Sequence, residues 1–227
     1  MDFVLIAGLW LDGGDAWTQV VAELERLGHR AVPVRLPGQG DGNTAATLAD
    51  QRAAVLAAVD AAEKPVVVGH SAAGSLAWIA ADARPDEVAA VVLIGGFPSP
   101  DGQEYASFFE VRDGGMAFPG WEPFEGPDSV DLDEDARQSI AAAAIPVPEG
   151  VAKGIVQLAD ERRYGVRTVL VCPEYSPEQA KGWIEAGEVP EIAKAEHVEY
   201  IDIDSGHWPM FTQPAELARK LHEAATS

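Results

Sequence analysis

The sequence predicts an α/β protein in which a mostly parallel central sheet is covered by helices on both faces. Three observations carry that expectation. Short runs rich in Val, Leu and Ile alternate with longer Ala-rich runs of helical period, the pattern of parallel strands joined by helical crossovers. The strand-like runs are apolar at nearly every position, which suits strands buried on both faces. At 227 residues, 47% of them apolar and 23% charged, the chain has the composition of a globular protein. One large domain of that length buries roughly 70 to 75% of its unfolded surface.

Taken in order, the first strand is expected at 3–6. A helix follows at 16–27, with apolar residues at helical spacing, and then a strand at 31–34. The helix at 48–62 is opened by Thr47, which with Asp50 makes an approximate capping box. A strand at 66–68, a helix at 72–83 and a strand at 88–94 continue the alternation. It then breaks. The stretch 98–165 is rich in Pro and Gly, carries Phe108, Phe109, Phe118, Trp121 and Phe124, and holds at least one helical run, near 134–144. It reads as a lid inserted over one edge of the sheet, with irregular connecting structure as the alternative. Strands at 168–172 and 198–203 and a helix at 214–225 complete a single domain spanning 1–227.

The charge balance narrows the partners. With 37 acidic against 16 basic residues, the net charge is −21. Such a chain repels phosphate backbones and anionic headgroups, so nucleic acid and membrane surfaces are not expected partners, whereas a small-molecule substrate is. The single cysteine, Cys172, excludes an intrachain disulfide framework and a cysteine-rich metal site, and it fits a reducing compartment. The start of the sequence lacks a basic secretory lead, and no apolar run approaches the roughly 18 residues of a membrane span. A cytoplasmic monomer or homodimer is the expectation.

Chemistry concentrates at Val66-Val67-Val68-Gly69-His70-Ser71-Ala72-Ala73-Gly74. An apolar strand runs into a serine flanked by small residues and then into a helix. A sharp strand-to-helix turn holds such a serine in a strained backbone conformation, and bulky neighbours would clash with adjacent strands. The hydroxyl then lies at a helix N-terminus, where free N–H groups favour negative charge. Ala73 stands where the G-x-S-x-G pattern has its second glycine. The plain alternative is a tight connection in which Ser71 merely caps the helix. The second element is Asp204-Ser205-Gly206-His207-Trp208-Pro209, placed between the last strand and the last helix. Open parallel sheets carry their ligand sites along that edge. His70, His29, His197 and His222 are expected elsewhere on the elbow, at strand ends or at the surface.

Serine then histidine on this architecture resembles the α/β-hydrolase superfamily, and more closely its small esterases and its methylesterase and hydroxynitrile-lyase branch. The resemblance spans nearly the whole chain. It identifies Ala7-Gly8-Leu9-Trp10 with an early loop that usually reads His-Gly-x-x, and Pro37-Gly38-Gln39-Gly40 with a recurrent Pro-Gly-x-Gly segment. What it implies is a serine hydrolase of the α/β-hydrolase fold, cleaving a small carboxylic ester, lactone or thioester through an acyl-enzyme. Ser71 is then the nucleophile and His207 the base. Glu174 is the preferred acid, Asp101 its competitor and Glu178 a third choice. Backbone N–H groups of Leu9 and Ala72 form the oxyanion hole, and no metal or organic cofactor is required. Trp10 and Trp208, with the aromatics of the insertion, either line the substrate pocket or pack in the core. Hydroxynitrile-lyase-like C–C cleavage and a catalytically weak ligand-binding relative are the alternatives. Those lyases characteristically carry a threonine in the early loop and a lysine after the histidine, where this chain has Gly8 and Trp208.

Overall fold

A computed structural model of the chain describes residues 1–226. In chain order its strands are β1 (Asp2–Ile6), β2 (Arg30–Pro33), β3 (Val66–His70), β4 (Ala90–Ile94), β5 (Gly115–Met116), β6 (Val147–Pro148), β7 (Thr168–Cys172) and β8 (Val198–Asp202). The helices are α1 (Gly13–Ala16), α2 (Thr18–Arg26), α3 (Leu48–Asp60), α4 (Gly74–Ala83), α5 (Glu134–Ala143), α6 (Glu149–Ala152), α7 (Pro177–Glu185), α8 (Pro209–Thr212) and α9 (Pro214–Thr226). Six strands form one parallel sheet in the order β2-β1-β3-β4-β7-β8.

Burial follows from the strand sequences. Because side chains alternate across the pleat, Val4, Ile6, Val67, Val91, Leu93 and Leu170 enter a core shared with α3 and α4. Phe3, Leu5, Val66, Val68, Val92 and Val169 enter the opposite core, filled by Val20 and Leu24 of α2 and by Leu217 and Leu221 of α9. The two edge strands do not fit the expectation of all-round burial. β2 has no fully buried residue, and β8 reads Val-Glu-Tyr-Ile-Asp with every residue partly exposed or exposed. An edge strand keeps one side in water and tolerates charge there.

Other departures are local. The helix expected at 16–27 is divided at fully buried Trp17, which ends α1 and begins α2. α7 is an additional element, opened by a capping box between Ser176 and Gln179 with Pro177 at its first turn. His29, directly before β2, and His222 of α9 meet each other, with Nε2 of the first 2.7 Å from Nδ1 of the second. Burial, the N-terminal charge and His222 together hold the His29 pKa below the usual histidine value. The Thr47–Asp50 capping box at the start of α3 is present in both its hydrogen bonds. No helix among the described residues is long and apolar enough to cross a membrane.

Register places the site. Ile6 pairs with Gly69, His70 with Ile94, Ile94 with Val171, and Cys172 with Asp202. The strand ends are therefore level, and the segments that follow them leave the sheet along one edge. The chain between β4 and β7, called the insertion below, carries the antiparallel β5–β6 pair and α5.

Candidate active site

Ser71 follows β3 directly and has φ of 55°, in the left-handed region, before a single 3-10 turn leads into α4. So tight a bend brings backbone against backbone. A Cβ at Gly69 would lie 2.4 Å from the Ala73 carbonyl oxygen, and one at Gly96 would lie 2.7 Å from that of Ser71. Neither position has room for a side chain. Ala73 fits in place of the pattern's second glycine, with φ of −65° and its methyl fully buried.

From the far end of the chain, the loop after β8 delivers His207, and the loop after β7 delivers Glu174. The imidazole Nδ1 is 2.7 Å from Glu174 Oε1, and both side chains are largely buried, at 12% and 13% exposure. Gly95 makes room for the pair, since a Cβ there would stand 3.1 Å from His207 Nδ1 and 3.2 Å from Glu174 Oε2. Gly95 thus packs on the imidazole and carboxylate while Gly96, the next residue, packs on Ser71. His207 and Glu174 are in direct contact, and the Gly95-Gly96 pair brings the Ser71 backbone alongside them. Asp101 does not join them: its Oδ1 accepts from the Leu158 N–H at 2.9 Å inside the insertion. Glu178 is exposed in the first turn of α7.

The backbone of His207 is gripped on both sides. Its N–H donates to the Asp128 carbonyl at 2.7 Å, and its carbonyl lies 2.7 Å from Nε2 of His70. His70 is fully buried, and burial, reinforced by the neighbouring His207, lowers its pKa to about 3. It is therefore a neutral donor of one N–H at ordinary pH. Asp128, from the insertion, is held above the usual carboxylate range by burial and by Glu174 nearby. Sequence reasoning set His70 aside and missed Asp128. No periodicity marks either residue, because their roles lie in which carbonyl meets which N–H.

The loop after β1 supplies Leu9 and Trp10, each 7% exposed, and Ala72 in the 3-10 turn is equally covered. The Gly8 carbonyl accepts from Gln39 Nε2 at 3.3 Å, and a Cβ on Gly8 would touch the His70 ring at 2.7 Å. Gln39 and His70 thus support a loop that lacks a histidine at Ala7. Aromatic rings continue outward. His207 meets Trp208 with ring centroids 4.9 Å apart, Trp208 meets Phe124 at 5.5 Å, and Phe124 meets Trp10 at 6.0 Å. Phe109 and Phe118 also pack on Trp10. Phe108 lies outside this cluster at 62% exposure. On its other side Trp10 walls a cavity of about 500 Å³ shared with Asp15, Gln19, Ile140 and Ala143.

Among the described residues there is no cluster of three His, Cys, Asp or Glu side chains able to hold a metal. The arrangement offers a hydroxyl at a helix N-terminus, an imidazole oriented through Nδ1 with Nε2 left over, and a carboxylate behind it. Residues 3–220 match the model of the alpha/beta hydrolase family. Methylesterase 7 of Arabidopsis thaliana is 26% identical over 257 residues, covering 98% of this chain and 95% of that one. An extracellular alpha/beta-hydrolase from a Paenibacillus species, described as sharing structural and functional homology with tobacco salicylic acid binding protein 2, superposes with a TM-score of 0.80. It is 20% identical, and the alignment covers 100% of both chains. The structure of an Arabidopsis methylesterase gives a TM-score of 0.74 at 15% identity, covering 100% of this chain and 99% of that one.

Proposed function

The chain belongs to the alpha/beta hydrolase family, and we propose that it is a serine hydrolase of small carboxylic esters, working through Ser71, His207 and Glu174. The observation that carries this reading is the 2.7 Å contact between His207 Nδ1 and Glu174 Oε1 beside a serine held at φ of 55°. With Nδ1–H committed to the carboxylate, Nε2 is the acceptor left to face the hydroxyl.

His207 Nε2 takes the Ser71 proton as Oγ attacks the ester carbonyl, and Glu174 stabilises the imidazolium that forms. The negative oxygen of the tetrahedral intermediate is received by the N–H groups of Leu9 and Ala72, the latter aided by the start of α4. Collapse breaks the ester C–O bond, and the alcohol leaves with the proton from His207. Water then gives a proton to His207, attacks the acyl-serine, and the acid departs as Ser71 recovers its proton. The methylesterase relative supports a small alcohol portion. The charge field supports an uncharged or weakly charged substrate. Arg112, Arg162 and Arg163 are each already paired with carboxylates, so none is left over to receive an anionic group.

Hydrolysis of p-nitrophenyl acetate tests the reading. Ser71→Ala and His207→Ala are each expected to lose on the order of a thousandfold or more in kcat. Mandelonitrile serves as the control substrate, with no cyanide released. Cyanide release without ester hydrolysis replaces the esterase with a lyase, and full hydrolysis by Ser71→Ala removes the serine from the mechanism.

A further inference from the structure

Leu9 lies between two residues whose positions are fixed from opposite directions. On one side is Gly8. In a trans peptide the C=O of one residue and the N–H of the next lie in one plane and point opposite ways, so whatever holds the Gly8 carbonyl also aims the Leu9 N–H. Gln39 Nε2 donates to that carbonyl at 3.3 Å, and the buried His70 ring closes off the space beneath Gly8.

On the other side is Trp10, whose φ of 63° places a bulky side chain in the left-handed region that glycine favours. Such a conformation persists where the surroundings over-determine it, and residues of this kind gather at working sites. Here the surroundings are explicit. The Trp10 indole N–H donates to the Met116 carbonyl of β5 at 3.1 Å, and the Trp10 carbonyl accepts from the Ile145 N–H at 2.9 Å. Both partners belong to the insertion, and Phe109, Phe118 and Phe124 of the same segment pack on the indole.

From this juxtaposition we propose that Gln39 and Trp10 are positioning residues forming a two-sided brace that aims the Leu9 N–H at the developing oxyanion, with the insertion acting through Trp10. The inference rests on the reading of Leu9 as an oxyanion donor in a Ser71 hydrolase. It gives the insertion a part in the chemical step as well as in covering the site. Neither brace residue exchanges a proton or touches the reacting atoms. Their effect is therefore on charge stabilisation in the transition state rather than on ground-state binding.

The test uses the full chain with Gln39→Met, which keeps length without the donor, and Trp10→Phe, which keeps a ring without the indole N–H. Hydrolysis of p-nitrophenyl acetate is measured beside inhibition by trifluoroacetone, whose adduct with a serine bears the same oxyanion. Each variant is expected to lose about tenfold in kcat, a fraction of the roughly hundred- to thousandfold that follows outright loss of a donor. KM stays within about twofold, and trifluoroacetone weakens by the same factor as kcat. Unchanged kcat, a rise in KM alone, or lost kcat with undiminished inhibitor affinity overturns the brace. Should Trp10→Phe fail to fold, Gln39→Met at a half-buried loop position decides alone. Ser71→Ala separates the two readings: if it abolishes hydrolysis while both brace variants stay at wild-type rate, only the brace falls, and if it does not, the hydrolase reading falls first.

Discussion

Glu174 and Asp101 are both carboxylates on loops that follow central strands, and their partners distinguish them. Glu174 reaches the imidazole, whereas Asp101 holds a backbone N–H of the insertion. Glu174→Gln is therefore expected to lower kcat on the order of a hundredfold or more, by losing the charge that stabilises the imidazolium. Asp101→Asn keeps an oxygen acceptor and is expected to stay within about threefold of wild type. Steady-state rates of the two variants check this, and the reverse ranking moves the acid to the other loop. Ser71 and His207 stand out in the sequence as candidates because a tight strand-to-helix turn demands small residues around the serine and because the histidine follows the last strand. The acid could be read only as a preference for Glu174 over Asp101, since an acidic chain offers many carboxylates and loop length alone does not say which one turns inward. The contact that His70 makes was not legible either, because its partner is the backbone of a residue that lies 137 positions away.

The central strands announce themselves by unbroken apolar runs, and β7 falls where the sequence places it, at Thr168–Cys172. Edge strands and the insertion are harder to read, because partial exposure dilutes the pattern and short irregular turns have no period. α7 carries a legible start in Ser176, Pro177 and Gln179, but its helix has one buried residue, Ala180, so the apolar stripe that advertises a helix is thin. At its C-terminal end α4 is tied by a buried group to the end of the insertion and to Glu191 beyond it. Arg163 meets Asp82 of α4 at 3.2 Å and Glu191 at 3.1 Å, and Trp78 and Tyr164 also donate to Glu191. Removing one partner leaves buried charge uncompensated. Arg163→Ala is expected to cost about 3 to 5 kcal/mol of unfolding free energy. The residual folded enzyme should keep its kcat, since Asp82 lies a helix length from Ser71. Urea unfolding measures the first and active-site-titrated rates the second; a stable variant with impaired kcat contradicts this division.

At the scale of the whole molecule, a net charge of −21 is carried on the surface while the two cores and the site are apolar or internally paired. One consequence concerns pH. His70 has a folded pKa of about 3 against an ordinary value of 6.5, so between these values the unfolded chain binds a proton that the native state refuses. Its contribution is fully present above pH 6.5 and is lost as pH falls toward 3, at up to about 1.4 kcal/mol per pH unit. Denaturant midpoints at pH 7 and pH 5 should show wild type losing stability and His70→Gln losing less; an equal loss in both would place the acid sensitivity elsewhere. The mechanism requires that a carboxylic ester be cleaved through a covalent bond to Ser71. Rapid acid quenching of the enzyme with p-nitrophenyl acetate, followed by peptide mass analysis, tests it most directly. One acetyl group on Ser71, absent from Ser71→Ala, is the expected result, and turnover with no acyl group on that residue would contradict it.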